Sequence, residues 1–265
     1  MRHRIGPGET VRLARIDPDD SGAFHDKEAG ARQLEKDVAR LAELQERLYA
    51  ENSRALLIVL QAMDTGGKDG TIKHVMSAVN PTGCQVKSFK VPSEEERHHD
   101  YLWRVHAAVP RLGNIGIFNR SHYEEVLVAR VHGLVPKKVW SARYEQINRF
   151  EEYLHDNGVT LLKFFLHISK AEQKRRLRAR LDDADKLWKF DEGDLAERER
   201  WDDYQDAYQD ALTRCSTSWA PWFVIPSDKK WYRNLAVARI VVKTLEDMDP
   251  RPPRPKFDPS RIAIE

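Results

Sequence analysis

The chain has few cysteines and no long apolar segments, the features that are typical of secreted, metal-stabilised or membrane proteins. Its 265 residues include only two cysteines, Cys84 and Cys215, which give neither a disulfide framework nor the spacing of a metal site. No apolar run approaches the roughly 20 residues of a membrane span, and no apolar segment follows the basic start of the chain as in a signal peptide. We therefore expect a cytoplasmic protein with no membrane partner.

A strong net charge is also absent. The 44 Lys and Arg residues nearly balance the 42 Asp and Glu residues, which leaves a net charge of +2. A nearly neutral chain is a poor general coat for nucleic acid, so we expect no nucleic-acid partner and look instead for local clusters of charge. The length is sufficient for a substantial core, and we expect one domain spanning 1–265.

Apolar segments alternate with amphipathic ones between an extended N-terminal arm (1–30) and a proline-rich tail (249–265). Strands are predicted at 54–61, 85–90, 114–119, 159–168 and 222–225. Helices are predicted within 31–51, 62–80, 94–109, 122–131, 136–157, 170–181, 195–214 and 230–247. This order predicts an α/β fold with a central parallel sheet, which binds its ligands at the carboxyl ends of the strands.

The segment Ala62–Thr71 directly follows the first predicted strand. A buried strand, a glycine-rich turn, a lysine and a helix start form a phosphate cradle, because backbone N–H groups and the helix dipole face the anion. Lys68 is the phosphate-binding lysine by position. The segment departs twice from the pattern G-x-x-x-x-G-K-[ST], since Ala62 replaces glycine and Asp69 replaces serine or threonine. The other predicted phosphate-binding residues of this segment are Thr65, Gly66, Gly67, Gly70 and Thr71.

Two carboxylates therefore lie in the cradle. Asp69 places negative charge where ATP phosphates normally sit, and Asp64 adds a second acid. Both are explained if they hold Mg²⁺, which takes oxygen ligands, so we predict Asp64 and Asp69 as metal ligands. The cradle then needs compensating cations from metal ions or a basic surface. The alternative is that Asp69 only caps a helix and Asp64 is a turn residue.

The third predicted strand ends in Asn119 and Arg120, at the same edge of the sheet as the cradle. Arg120 is well placed there to grip phosphate, and we assign Asn119 and Glu124 to phosphate or nucleotide binding. The alternative for Glu124 and Glu125 is that they are ordinary acids complementing the dipole of a helix start.

Basic residues crowd the segment 170–195. Six of the eleven residues from Lys170 to Arg180 are Lys or Arg, and Lys186 and Lys189 follow. A helix turns about 100° per residue, so these charges surround it instead of forming one solvated stripe. The placement predicts a lid that closes arginines over transferring phosphates. The alternative is a soluble helix balanced by Asp182, Asp183 and Asp185.

Several blocks of sequence, in order along nearly the whole chain, resemble the family-2 polyphosphate kinases. The blocks lie at 61–71, 118–124, 163–170, 180–190, 201–204 and 220–222. The resemblance implies a P-loop kinase-like three-layer sandwich with a helical lid. It also implies Mg²⁺-dependent, reversible phosphoryl transfer between inorganic polyphosphate and adenine or guanine nucleotides, by a homodimer or homotetramer.

The resemblance also implies roles for particular residues. Asp64 would bind metal and activate phosphate, while Lys68, Arg120 and Arg180 grip phosphates as catalytic residues. Asn119 resembles the short single-domain members that phosphorylate both AMP and ADP, whereas Glu125 departs from the Asp of close members. A polyanion needs repeated cations, and the predicted polyphosphate channel comprises Arg130, Lys137, Arg178, Lys186 and Lys189.

Two other functions fit parts of this pattern. An ATP-dependent nucleoside monophosphate kinase would share the fold, the lid and Lys68, but the acids at 64 and 69 suit a metal-bridged polyphosphate better than a standard ATP cradle. A non-catalytic polyanion-binding module would bind without turnover.

Overall fold

A computed structural model of the chain describes residues 2–24, 26–258 and 261–264. Its sheet has five strands: β1 Ala55–Ala62, β2 Cys84–Ser88, β3 Ile115–Asn119, β4 Val159–His167 and β5 Trp222–Pro226. Neighbouring strands are all parallel, in the order β2-β3-β1-β4-β5. The predicted α/β fold with a parallel sheet is therefore confirmed, and the carboxyl ends of the strands meet at one edge.

Helices connect and cover these strands. They are α1 Lys27–Glu51, α2 Lys68–Val75, α3 Glu94–His98, α4 Trp103–His106, α5 Val128–Val131, α6 Lys137–Asp156, α7 Lys170–Leu181, α8 Gly193–Glu199, α9 Trp201–Cys215 and α10 Lys230–Met248. Short 3₁₀ helices occur at Leu13–Arg15, Pro81–Gly83, His122–Glu125 and Ala184–Lys189. No helix among the described residues is long and apolar enough to cross a membrane.

The core lies on both faces of the sheet. Every residue of β1 is buried, and its side chains alternate between two apolar clusters because successive strand residues point to opposite faces. Leu57 and Val59 join the cluster that contains α6 and α9, whereas Ile58 joins the cluster that contains α1 and α10. The result is the expected three-layer arrangement.

The helix boundaries differ from the predicted ones at several places. The predicted helix 195–214 is two helices broken at Arg200, and 94–109 and 122–131 each contain only short helices. Helix α1 begins at Lys27 instead of 31, because the Asp26 side chain caps it by accepting the N–H groups of Glu28 at 2.9 Å and Ala29 at 3.1 Å. Tertiary contacts and caps thus set the ends of helices whose existence the periodicity predicts.

The N-terminal arm runs beside the edge strand β5. The N–H of Ile5 donates to the Trp222 carbonyl at 2.9 Å, and the N–H of Val224 donates to the His3 carbonyl at 2.9 Å. Ile5 and Leu13 are buried in the core, so the arm is part of the fold. Five residues of the predicted arm and tail lie outside the described residues: Met1, His25, Pro259, Ser260 and Glu265.

Candidate functional site

The loop between β1 and α2 makes a tight turn at the centre of the carboxyl edge. Its backbone takes positive φ at Thr65, 61°, and at Gly67, 103°. A Cβ atom on Gly66 would lie 2.5 Å from the Cβ of Ala62 and 2.8 Å from the Met63 carbonyl oxygen, so only glycine fits there. The turn leads directly into α2, which begins at Lys68. The N-terminal end of this helix, with its free backbone N–H groups, faces the cavity.

Lys68 is held in this loop without a carboxylate partner. Its Nζ donates to the carbonyl of Ala62 at 3.3 Å, and no ion pair to it occurs among the described residues. Burial and the neighbouring Arg120 cation lower the pKa of Lys68, while Asp64 and Glu124 oppose that shift. An anionic ligand close to Lys68 would therefore stabilise the charged form of its side chain, which burial and Arg120 disfavour.

The end of β3 brings the second motif against the first. Arg120 has φ of 62°, and its N–H donates to the Leu60 carbonyl of β1 at 3.1 Å. Its Nη2 lies 3.1 Å from Oδ1 of Asp64, and its Nη1 lies 3.9 Å from Oε2 of Glu124. Burial raises the pKa of Glu124 against the pull of Arg120 and Lys68. The P-loop and the end of β3 therefore form one site, as the topology predicted.

Asp69 is also bound across this junction. The side-chain amide of Asn119 donates to Oδ1 of Asp69 at 2.6 Å. Asp64 and Asp69, the two acids that distinguish this loop from a standard Walker motif, are therefore each oriented by a residue from the end of β3.

A cavity of about 780 Å³ opens over this edge of the sheet. Eleven residues predicted as site residues line it: Asp64, Thr65, Gly67, Lys68, Asp69, Gly70, Asn119, Arg120, Arg180, Lys186 and Lys189. Arg180 reaches it from α7 and bonds Oδ2 of Asp194 at 3.0 Å and the Lys189 carbonyl at 2.9 Å. Gly66 and Thr71 lie within the loop and α2, beneath the lining, and Glu124 lies beside Arg120.

Three residues predicted for a polyphosphate channel do not line this cavity. Arg130 bonds Asp210 at 2.5 Å and lies over the ring of Trp140. Lys137 begins α6, and Arg178 lines a separate surface pocket on α7. The structure therefore groups Lys186 and Lys189 of the predicted lid with the P-loop and leaves Arg130, Lys137 and Arg178 elsewhere.

Five basic residues that line the cavity were not named as site residues from the sequence: Lys90, Arg175, Arg176, Lys230 and Arg233. Lys90 follows β2. Arg175 and Arg176 come from α7, and Lys230 and Arg233 come from α10. Helix α10 starts just after β5 reaches the carboxyl edge, so the rule that located Arg120 after β3 would also have located Lys230 and Arg233.

Arg176 and Arg233 bind the outer side of the P-loop. Arg176 donates to the carbonyls of Thr65 at 3.0 Å and Gly66 at 3.3 Å. Nη1 of Arg233 donates to the Gly66 carbonyl at 3.3 Å, and a Cβ on Gly67 would lie 1.8 Å from that nitrogen. Burial and the neighbouring Arg176 lower the pKa of Arg233 to about 9. These guanidinium groups fix the loop backbone and add positive charge behind it.

The donor set suits a metal that phosphate oxygens share. The described residues contain no group of three His, Cys, Asp or Glu side chains able to hold a metal alone. Asp64 and Asp69 nevertheless line the same cavity, and the buried Oγ1 of Thr65 has no hydrogen-bond partner there. Mg²⁺ typically binds through one or two carboxylates together with substrate phosphates and waters, and phosphoryl transferases generally use such a metal.

Comparison with known proteins gives a consistent result. The sequence matches the family Polyphosphate kinase 2 (PPK2) over residues 24–253. It is 53% identical over 265 residues to the AMP/ADP-polyphosphate phosphotransferase of Meiothermus ruber, covering 100% of this chain and 99% of that protein. It is 45% identical over 257 residues to the ADP-polyphosphate phosphotransferase of Rhodopseudomonas palustris, covering 92% of this chain and 89% of that protein.

The fold agrees with a solved structure as well. The crystal structure of polyphosphate kinase 2 from Arthrobacter aurescens TC1 superposes with a TM-score of 0.94 at 46% identity, covering 97% of this chain and 92% of that one. Family match, full-length relatives and superposition all agree with the P-loop geometry described above. The chain belongs to the polyphosphate kinase 2 family.

Proposed function

We propose that this protein transfers phosphoryl groups reversibly between inorganic polyphosphate and nucleotides, converting AMP to ADP and ADP to ATP with Mg²⁺. Family membership and the names of its relatives support the reaction class, since one relative is an AMP/ADP-polyphosphate and another an ADP-polyphosphate phosphotransferase.

The observation that carries this proposal is the charge of the cavity. Ten Lys and Arg side chains line it against three carboxylates. Five of the ten have no ion-pair partner in the described part of the chain: Lys68, Lys90, Lys189, Lys230 and Arg233. So large an excess of positive charge suits ligands that carry many negative charges, such as polyphosphate together with a nucleotide.

Catalysis would consist of positioning and charge neutralisation. The terminal phosphate oxygen of AMP or ADP is already a nucleophile, so no strong general base is required. Lys68 and Arg120 would neutralise the charge that spreads over the transferring phosphoryl group, and Arg180 would approach it from α7. We infer that 170–195 acts as the lid, because this one segment brings Arg180, Lys186 and Lys189 to the cavity.

Asp64 and Asp69 are the residues that would hold Mg²⁺. When bound, the ion would neutralise phosphate charge and orient the phosphates for in-line displacement. The bonds from Arg120 to Asp64 and from Asn119 to Asp69 would keep both carboxylates at the mouth of the P-loop. These bonds are what the chain itself contributes to a metal site.

The acceptor would be an adenine or guanine nucleotide, either mono- or diphosphate. A neutral amide at Asn119 adds no further negative charge beside Asp69, which is consistent with acceptance of AMP as well as ADP. A homodimer or homotetramer in the cytoplasm remains our prediction, and light scattering on the purified protein would measure the assembly.

The test is product formation from purified components. Protein, Mg²⁺ and polyphosphate should produce ADP from AMP and ATP from ADP when no ATP is supplied. EDTA should abolish turnover, and excess Mg²⁺ should restore it. Product only when ATP is the donor would point to a nucleoside monophosphate kinase, and tight polyphosphate binding without product would point to a polyanion-binding module.

A further inference from the structure

A group of ionisable side chains lies inside the protein, below the cavity. Lys163 in β4 and Glu151 in α6 have no exposed side-chain surface, and Nζ of Lys163 lies 2.5 Å from Oε2 of Glu151. Lys163 also donates to the Tyr123 hydroxyl at 2.8 Å and to the Cys215 carbonyl at 2.6 Å. All three N–H groups of the ammonium are therefore used.

Glu151 is equally well satisfied. Its Oε1 accepts hydrogen bonds from Nε2 of His122 at 3.1 Å and from the Tyr123 hydroxyl at 2.9 Å. Burial would raise the pKa of Glu151, but the Lys163 cation and the bond from His122 outweigh it and hold the pKa below its ordinary value. The group is a complete internal ion pair that joins α6, β4, the end of α9 and the 3₁₀ turn His122–Glu125.

This turn connects the buried group to the candidate site. Tyr123 and His122 lie between Arg120 and Glu124 in the chain. The Ser121 hydroxyl accepts from the Tyr123 N–H at 3.1 Å and from the Gln61 side-chain amide of β1 at 3.1 Å. The turn is thus bonded to the sheet through Ser121, which is adjacent to Arg120, and Tyr123, which is adjacent to Glu124.

The backbone of Arg120 needs such support. Its φ of 62° lies in the left-handed region that non-glycine residues rarely adopt. Strained backbone of this kind persists where the surrounding structure determines it, and it is common at functional sites. On the C-terminal side of Arg120, the bond between Ser121 and Gln61 is followed directly by the tie through His122 and Tyr123.

Stability alone is a weak explanation for the pair. A buried ion pair is often no more stabilising than apolar side chains of similar volume, because desolvation offsets the attraction. This core contains many apolar neighbours, including Trp222, whose ring lies 4.7 Å from that of Tyr123. We therefore look for a function of the charged pair that apolar side chains could not provide.

We propose that the buried Lys163–Glu151 pair is a positioning device for phosphoryl transfer. Acting through His122 and Tyr123, it holds the turn 121–125 so that Arg120 and Glu124 face the P-loop. The proposal rests on the proposed function and adds that residues which never touch substrate set the turnover rate.

The test uses two variants that avoid a stranded buried charge. Lys163→Met/Glu151→Leu removes both charges together. Tyr123→Phe removes only the Tyr123 hydroxyl, which joins the pair to the turn alongside His122. We expect both to fold, with kcat about tenfold lower in the double variant and about threefold lower in Tyr123→Phe, since small misplacements of a positioned group are costly. KM for polyphosphate and for ADP should stay within about twofold, because the phosphate-binding cations remain in place.

Tyr144→Phe is the matched control. Tyr144 is a buried tyrosine of the same apolar cluster, and its hydroxyl accepts from Arg130 at 3.3 Å instead of from the pair. Its kcat should match that of the wild type. The proposal is overturned if folded Tyr123→Phe keeps wild-type kcat or raises only KM, and this variant decides the question should the double variant not fold. If wild-type protein makes no product from polyphosphate, the proposed function fails instead.

Discussion

Charged side chains occupy two regions of this molecule in opposite ways. In the cavity over the carboxyl edge, ten cations face three carboxylates. Below it, Lys163 and Glu151 pair one to one without any exposed surface. The excess cations of the cavity are stabilised when an anionic ligand binds. The buried pair is already neutral, so its hydrogen bonds can only hold neighbouring parts of the protein in place. We propose ligand binding for the first region and positioning for the second.

The largest effect should follow loss of Arg120 or Arg180, the arginines that we propose grip the transferring phosphate. Arg120→Ala and Arg180→Ala should each lower kcat by about 10³-fold or more, by analogy with arginine fingers. Steady-state rates with polyphosphate and ADP measure this effect. Arg149→Ala is the control, since the one ion-pair partner of Arg149 among the described residues is the exposed Glu145. Near-normal turnover in both cavity variants would remove the catalytic role from this cluster.

Single substitutions in the two regions should differ in their cost to stability. Lys163→Met strands the Glu151 carboxylate in the core and should lower the free energy of unfolding by about 3–5 kcal/mol. Arg233→Met removes a buried cation that has no carboxylate partner among the described residues, so its cost should be much smaller. Urea denaturation of both variants gives the comparison, and equal losses would contradict the distinction between the two regions.

Arg233→Met should instead weaken substrate binding. We expect KM for polyphosphate to rise about tenfold, comparable to losing one charge-assisted contact, with KM for the nucleotide nearly unchanged. Lys229→Met is the matched control, because Lys229 precedes α10 and pairs with Asp19 at 2.9 Å. An unchanged KM for polyphosphate would mean that Arg233 only braces the P-loop.

Ionic strength should give the smallest effect and separate the regions without mutation. Raising salt from about 50 to about 200 mM should increase KM for polyphosphate about threefold, because the open cavity is screened. The buried pair is shielded from solvent ions, so the melting temperature should change little. A KM that is insensitive to salt would indicate that the excess cations do not contact polyphosphate.

The fold was predictable because its signals are local and repeated. Continuous apolar runs such as 55–60 indicate strands buried on both faces, and all eight residues of β1 are buried. Helix ends were less predictable, since they depend on caps such as Asp26 and on tertiary packing. The break at Arg200, which separates α8 from α9, has no glycine or proline to mark it.

The site was predictable where motif and topology agreed. Lys68, Asp64 and Arg120 follow neighbouring strands, and the structure brings them together. Arg233 and Lys163 were missed for different reasons. The position of Arg233 after β5 indicates the carboxyl edge, but the residue stands in an ordinary helical pattern, and its approach to Gly67 depends on how α10 packs. Lys163 interrupts an apolar strand, and the buried carboxylate that explains it comes from another element, α6.

The most direct test of the account is transfer from polyphosphate without ATP. Purified protein with Mg²⁺, polyphosphate and AMP should yield ADP and then ATP, and Arg120→Ala should abolish both products while remaining folded. Folded wild-type protein that yields neither product from AMP or ADP would contradict the central claim that the unbalanced cavity is a polyphosphate-to-nucleotide transfer site.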